Sequence, residues 1–289
     1  MAGGVRDGAQ APAAAKAAPL GWGDDPADRA PGPVLFQVDA PGGKLDLFGT
    51  MHTQPLEAMP KVAAERYAAA RVVAFEADVG RMNPLAIIRA ATLPAGQSLD
   101  VLLGAEAWDK LLKYLGPTVK PEALKRFRPW IVLAFIVQKA AAAPANVDEG
   151  MDAAMLKQGR AQNKTVRFLE TIDEQMAILD RTIDAATLAQ LVAHVEAFPV
   201  AVKAITDAYN GGDISTVEAA MNGMGGKGGM TPAQFQALLG GRNERWIPFL
   251  EQLAAEGGAF VAVGAGHLIG KDGLVALLRA RGYHVVRVR

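Results

Sequence analysis

The sequence contains no cysteine. That removes disulfides, thiol nucleophiles and thiolate metal sites. It also lacks a surplus of either charge, because 30 Lys plus Arg balance 30 Asp plus Glu. A chain with no net charge carries no bulk field for nucleic acid or an anionic membrane. No apolar run approaches the roughly 20 residues of a membrane span. Walker A, a Rossmann fingerprint between strand and helix, and HExxH are all missing. Ser and Thr stand outside any nucleophile-elbow setting, which argues against a serine hydrolase. Histidine is scarce, with four in 289 residues: His52, His194, His267 and His284.

What is present is apolar. Hydrophobic residues make up 51% of the chain, enough for a substantial core in one large domain or two close lobes. Met1 to Pro33 is rich in Ala, Gly and Pro and has no continuous apolar segment, so it is not an intact signal peptide. It reads as a disordered leader outside the fold, with Leu20-Gly21-Trp22 the portion most suited to order. The absence of cysteine suits an exported bacterial protein, periplasmic or secreted, and leaves a cytoplasmic location open.

Apolar runs punctuated by glycine mark the strands. Val34 to Val38 and Leu45 to Phe48 flank a Pro-Gly-Gly turn and predict a hairpin. Arg71 to Asp78, Lys164 to Glu170, Ala259 to Val263 and Tyr283 to Val288 predict four more strands. The helical pattern of Met59 to Ala70 between two strands implies a right-handed parallel crossover, with His52 and Glu76 on the same rim of adjacent strands. Pro84 to Gly159 reads as a largely helical insertion. Helical spacing returns over Glu174 to Ala220, Thr231 to Leu239, Arg242 to Glu256 and Leu274 to Arg281. The glycine-rich Asn222 to Gly229 reads as a flexible loop or a mobile lid. The expected fold is therefore one α/β domain over 34–289. Its mixed central sheet is built from N- and C-terminal segments, with a helical insertion over 84–159.

Two strands end in matching turns, Gly49-Thr50-Met51-His52 and Gly264-Ala265-Gly266-His267. Open α/β sheets bind ligands at the C-terminal rim of their strands, so the two imidazoles are expected to share a site. Imidazole is a common metal ligand and a base near neutral pH. His194, in a helical pattern, and His284, in the last strand, read as structural. Glu76 ends an apolar strand, where a charge needs a partner. Two His and one Glu make an open site for a divalent metal that polarises a carbonyl and activates water. Glu170 closes its own strand as a candidate base, with Asp78 as the alternative. Arg242 and Arg245 share a helical face, and Arg242 or Asn243 is a candidate for stabilising developing negative charge.

These pieces, together with Gly150-Met151-Asp152 and Gln175, resemble the TraB/PrgY/GumN family, which includes the Tiki proteases. They occur in the family's order from about Val34 to Arg289, and the bacterial GumN-like branch is the nearest likeness. The resemblance implies a metal-dependent, peptidase-like hydrolase. His52 and His267 match the two required histidines and Glu76 the acidic partner, with Mn, Co or Zn as the metal. Glu170, Arg242 and Asn243 match motif positions of less defined role. The expected partner is a peptide or small-molecule substrate, and the expected state is a monomer or homodimer. Two other readings stay open. One is a non-catalytic peptide or small-ligand binding protein of the cell envelope. The other is an envelope partner protein that uses its helical insertion, above all Pro129 to Ala142, as an interaction surface.

Overall fold

A computed structural model describes residues 20–78, 80, 84–142, 150–224 and 229–289. Most of the leader, residues 143–149 of the expected helical insertion and the centre of the Asn222 to Gly229 segment, with its expected lid, lie outside the described residues. The strands are β1 (Leu35–Ala40), β2 (Gly43–Thr50), β3 (Val72–Phe75), β4 (Thr165–Phe168), β5 (Ala259–Gly264) and β6 (His284–Arg287). They form one mixed sheet in the order β4-β3-β5-β2-β1-β6. β4, β3, β5 and β2 run parallel, and β1 pairs antiparallel with both β2 and β6.

The α/β fold expected from the sequence is present, with one change in strand order. β2 and β3 are not adjacent, because β5 lies between them. The crossover from His52 to Glu76 therefore spans a gap that the C-terminal segment fills. β5 reads AFVAVG and is buried along its whole length, as a parallel strand covered on both faces should be. Its alternation divides the core. Val261 and Val263 face one apolar cluster, and Phe260 and Ala262 face the other.

The helices in chain order are α1 (Pro26–Arg29), α2 (Lys61–Ala69), α3 (Pro84–Ala91), α4 (Leu99–Leu103) and α5 (Ala105–Leu115). Then come α6 (Pro121–Leu124), α7 (Pro129–Ala140), α8 (Met151–Ala161), α9 (Ile172–Thr182) and α10 (Ala185–Ala193). The last are α11 (Phe198–Asn210), α12 (Ile214–Met224), α13 (Pro232–Leu238), α14 (Gly240–Glu256) and α15 (Leu274–Ala280). α14 and α15 cover one face of the sheet through Trp246, Leu250, Leu253, Val275 and Leu278. α2 and α8 cover the other through Ala63, Tyr67, Met155 and Leu156. A third core, with Leu111, Val132, Ile136, Leu188 and Val192, belongs to the helices alone. The helical part resumes after β4 through α9–α14, where the spacing over Glu174 to Glu256 predicts helices. Among the described residues no single helix is long and apolar enough to cross a membrane. The interior of α7 is largely committed, since Val132 and Ile136 are fully buried in the helical core.

Residues 20–33 join the fold rather than trailing from it. Asp28 is completely buried, and its carboxylate accepts from Arg279 Nη1 at 2.6 Å and Nη2 at 2.8 Å. Trp22 packs on Phe36 and donates to Glu218 at 2.9 Å. Arg287 adds donors to the carbonyls of Asp28, Ala30, Gly32 and Pro33, and Arg29 pairs with Glu218 at 2.9 Å, partners that the Ala/Gly/Pro composition conceals.

Candidate functional site

The two Gly-x-x-His turns leave neighbouring strands. β2 and β5 pair with Gly49 opposite Val263 and Thr50 opposite Gly264, so both turns open at the C-terminal rim of the sheet. Neither glycine is there for an unusual backbone angle. Gly264 has φ −52° and ψ 136°, which any residue adopts. At Gly49 space is the reason. A side chain at Gly49 would come within 2.6 Å of Val34 Cγ1 and 2.8 Å of Ala265 Cα. A Cβ on Gly264 would stand 3.4 Å from both Glu76 Oε1 and His52 Nε2, and 3.8 Å from His267 Cδ2. One small volume over Gly264 therefore faces all three of the residues expected to share a site.

The two histidines differ sharply in setting. The His267 side chain is only 4% exposed, and that of His52 is 68% exposed. His52 Nδ1 lies 2.5 Å from Asp152 Oδ2. Asp152, in the first turn of α8, also accepts from Thr50 Oγ1. Met151 N donates to Gln54 O at 2.8 Å, which holds that turn of α8 against the loop after His52. Asp152 thus fixes one ring nitrogen and leaves Nε2 facing the hollow. The adjacent carboxylate, with a smaller contribution from Glu76, raises the His52 pKa to about 9 against the opposing effects of burial and Arg242. Water at the exposed edge of the ring screens part of that attraction.

His267 is held as a neutral ring. Burial lowers its pKa to about 3. Asn243 Nδ2 donates to His267 O at 3.2 Å and to Asp272 O at 2.8 Å. That orients the amide, so Asn243 Oδ1 accepts from His267 Nδ1 at 2.6 Å. The proton is then on Nδ1, and Nε2 accepts from Arg242 Nη1 at 3.0 Å. The ring also lies against Trp246, with centroids 4.5 Å apart.

Glu76 follows β3 directly. Its Oε1 accepts from Gly264 N at 2.8 Å, and its Oε2 accepts from Gln175 Nε2 at 3.0 Å and Arg242 Nη2 at 2.5 Å. Burial alone would push its pKa up. His267, Arg242, His52 and the Gly264 N–H outweigh that and hold it at about 2. With His267 neutral near neutral pH, the guanidinium is the main charge doing this.

Arg242 is the hub. Nε and Nη2 donate to Glu170, Nη2 also to Glu76, and Nη1 to Leu238 O and His267 Nε2. All five N–H groups of the guanidinium are used. Trp246 donates to Glu170 at 3.3 Å and lies under the guanidinium, 4.7 Å from Cζ.

Several expected roles change accordingly. Arg242 and Asn243 have no donor left for an oxyanion. Glu170 is buried with both oxygens bonded to Arg242 and Trp246, so it braces the hub and is not placed as a base. Asp78 is turned away to Arg160 at 2.5 Å. It lines, with Glu170 and Glu174, a cavity of about 490 Å³ beside the hub. Arg245 does not share the face of Arg242. It is exposed and donates to Gly241 O. His194 is exposed at the end of α10, and His284 pairs with Asp39 at 2.8 Å, both away from the site. Two residues that sequence reasoning left without a role are Gln175, which donates to Glu76, and Asp152. Asp152 lies in the quoted Gly-Met-Asp motif, but its partner is 100 positions away.

The metal expected on His52, Glu76 and His267 meets a poor donor set. The acceptor nitrogen of His267 is taken by Arg242, and Glu76 already accepts from three donors. Among the described residues no group of three or more His, Asp or Glu is arranged to hold a metal ion.

A family model described as the TraB/PrgY/gumN family matches residues 34–287. No curated protein and no solved structure matches the chain.

Proposed function

The chain belongs to the TraB/PrgY/gumN family, and from that premise we propose that the hollow over Gly264 hydrolyses amide or ester bonds, with peptides as the substrate class. One observation carries the reading: His52 Nε2 and Glu76 Oε1 stand 3.4 Å from the same point over Gly264. Paired groups whose pKa values are driven apart define an acid and a base. Here Glu76 is the ionised partner and His52 the protonated one at neutral pH. Glu76 Oε1 receives the proton of an attacking water. His52 offers Nε2–H as a hydrogen bond to the carbonyl oxygen on which charge develops and transfers that one proton to the leaving group as the tetrahedral intermediate collapses; the proton held on Glu76 then returns to the imidazole. Asp152 keeps the His52 ring in place and balances its charge. Arg242, braced by Glu170 and Trp246, keeps Glu76 ionised in a buried setting.

The metal-assisted form of this chemistry, with Mn, Co or Zn on the two histidines and Glu76, requires Arg242 to release His267. A second reading is a peptide- or small-ligand-binding protein without turnover. The fully committed donors of Arg242 and Asn243 favour it. The two separate on a library of peptides and activated esters. Wild type should turn over a subset, and His52→Ala and Glu76→Gln should each lose about 100-fold or more in kcat while still binding. Binding without turnover in the wild type leaves the second reading. Turnover intact in either variant rejects the assigned site.

A further inference from the structure

The charge arrangement under the hollow carries a conclusion opposite to the one the family likeness implies. We propose that Arg242 is the resident cation of this site, occupying the place of a divalent metal, so that the site works without one. The chemistry it serves rests on the hydrolytic reading above, but its occupancy is measured independently of turnover.

Three features support this. First, the guanidinium is buried, with its side chain 8% exposed, between the carboxylates of Glu76 (12%) and Glu170 (4%). Two carboxylates around one central cation is the charge pattern of a metal site, and here the cation is a planar fork bound to the chain. Second, its Nη1 sits 3.0 Å from His267 Nε2, on the lone pair that a metal would use. The other nitrogen is held by Asn243 at 2.6 Å, and the ring is backed by Trp246. His267 therefore cannot turn to offer a free nitrogen without breaking the Asn243 bond. Third, all five donors of Arg242 are satisfied within the protein, so withdrawal to admit an ion would orphan buried acceptors on Glu76, Glu170 and Leu238. A dication entering beside it would also meet a fixed positive charge at short range. The two histidines complete the asymmetry. His52 is held at Nδ1 by Asp152 with Nε2 open, whereas His267 is engaged at both ring nitrogens, by Asn243 and by Arg242.

The test uses the full chain, stripped with chelator and titrated with Mn(II), Co(II) and Zn(II). Calorimetry and the visible ligand-field bands of Co(II) report binding. The wild type should show no one-equivalent site and no imidazole-ligated Co(II) spectrum. Arg242→Met frees His267 Nε2 and the two carboxylates, so it should gain metal affinity by roughly 100-fold or more over the wild type. If that variant folds poorly when stripped, added Zn(II) or Co(II) should restore its structure, which is the same gain read through stability. Arg242→Lys keeps a cation and should remain metal-poor. A wild-type protein that takes up one equivalent, with bands that vanish in His52→Ala and in His267→Ala, overturns the proposal. A wild type that neither cleaves peptides nor binds metal sinks the hydrolytic reading and leaves the assignment of Arg242 intact.

Discussion

Gly264→Ala tests the hollow itself, because it adds one methyl where the reaction is placed and little else. The new carbon would stand 3.4 Å from Glu76 Oε1 and from His52 Nε2. A water bonded to both atoms must sit within about 3 Å of each, so methyl and water claim the same volume. The backbone is not strained, since φ −52° and ψ 136° suit an L-residue. The Gly264 N–H to Glu76 bond of 2.8 Å survives the change. Replacing Gly by Ala at a compatible angle stabilises by about 0.4–1 kcal/mol through the unfolded chain. For a chain of this size that raises Tm by roughly 1–4 °C. Displacing the reacting water or shifting the bound carbonyl by about 1 Å costs on the order of 100-fold in rate. The expected variant is therefore as stable as wild type or slightly more so, with kcat/KM down about 100-fold. Calorimetry and a peptide or ester turnover assay read the two effects. A variant with unchanged Tm and turnover within about tenfold of wild type would show that the chemistry does not occur over Gly264.

Two further outcomes follow from buried and half-buried charge. Asp28→Ala strands the guanidinium of Arg279, whose side chain is 3% exposed, and should cost about 3–5 kcal/mol. The urea midpoint would fall, and Asp28→Ala combined with Arg279→Met should recover part of the loss; additive losses would refute the pairing argument. Asp152→Asn removes the charge that holds His52 at about 9 rather than 6.5. A group with a raised folded pKa stabilises fully below 6.5 and loses that contribution as pH rises through about 9. Wild-type stability should thus decline across that window, and the decline should flatten in Asp152→Asn. The alkaline limb of kcat/KM, where His52 loses its Nε2 proton, should move to lower pH in the same variant. An unmoved limb would exclude His52 as the acid.

The sheet was legible because its strands are short apolar runs, two of them leading into Gly-x-x-His turns, and His52, Glu76 and His267 stood out as polar residues just beyond three strand ends. What the sequence could not supply was partnership across long separations. Nothing local places β5 between β2 and β3, since that order is decided by which apolar faces find α14 on one side and α2 with α8 on the other. Arg242 and Arg245 are alike by helical spacing, yet one meets Glu76 and Glu170 and the other meets solvent. Asp152 is an ordinary acid in the first turn of a helix until Met151 is tied to Gln54. The segment over 20–33 looks featureless in composition, and a single carboxylate, Asp28, binds it to Arg279.

The position of β5 also bears on how the molecule is made. Its neighbours, β2 and β3, are complete within the first 75 residues, but the strand that joins them ends at Gly264. A chain emerging from the ribosome holds two sheet fragments with no shared edge until its final stretch is released. Contacts of such long separation form late and slowly. The hollow takes shape only once β5 has joined β2 and β3, so a chain cut before Ala259 would lack the place where Gly264, His52 and Glu76 meet.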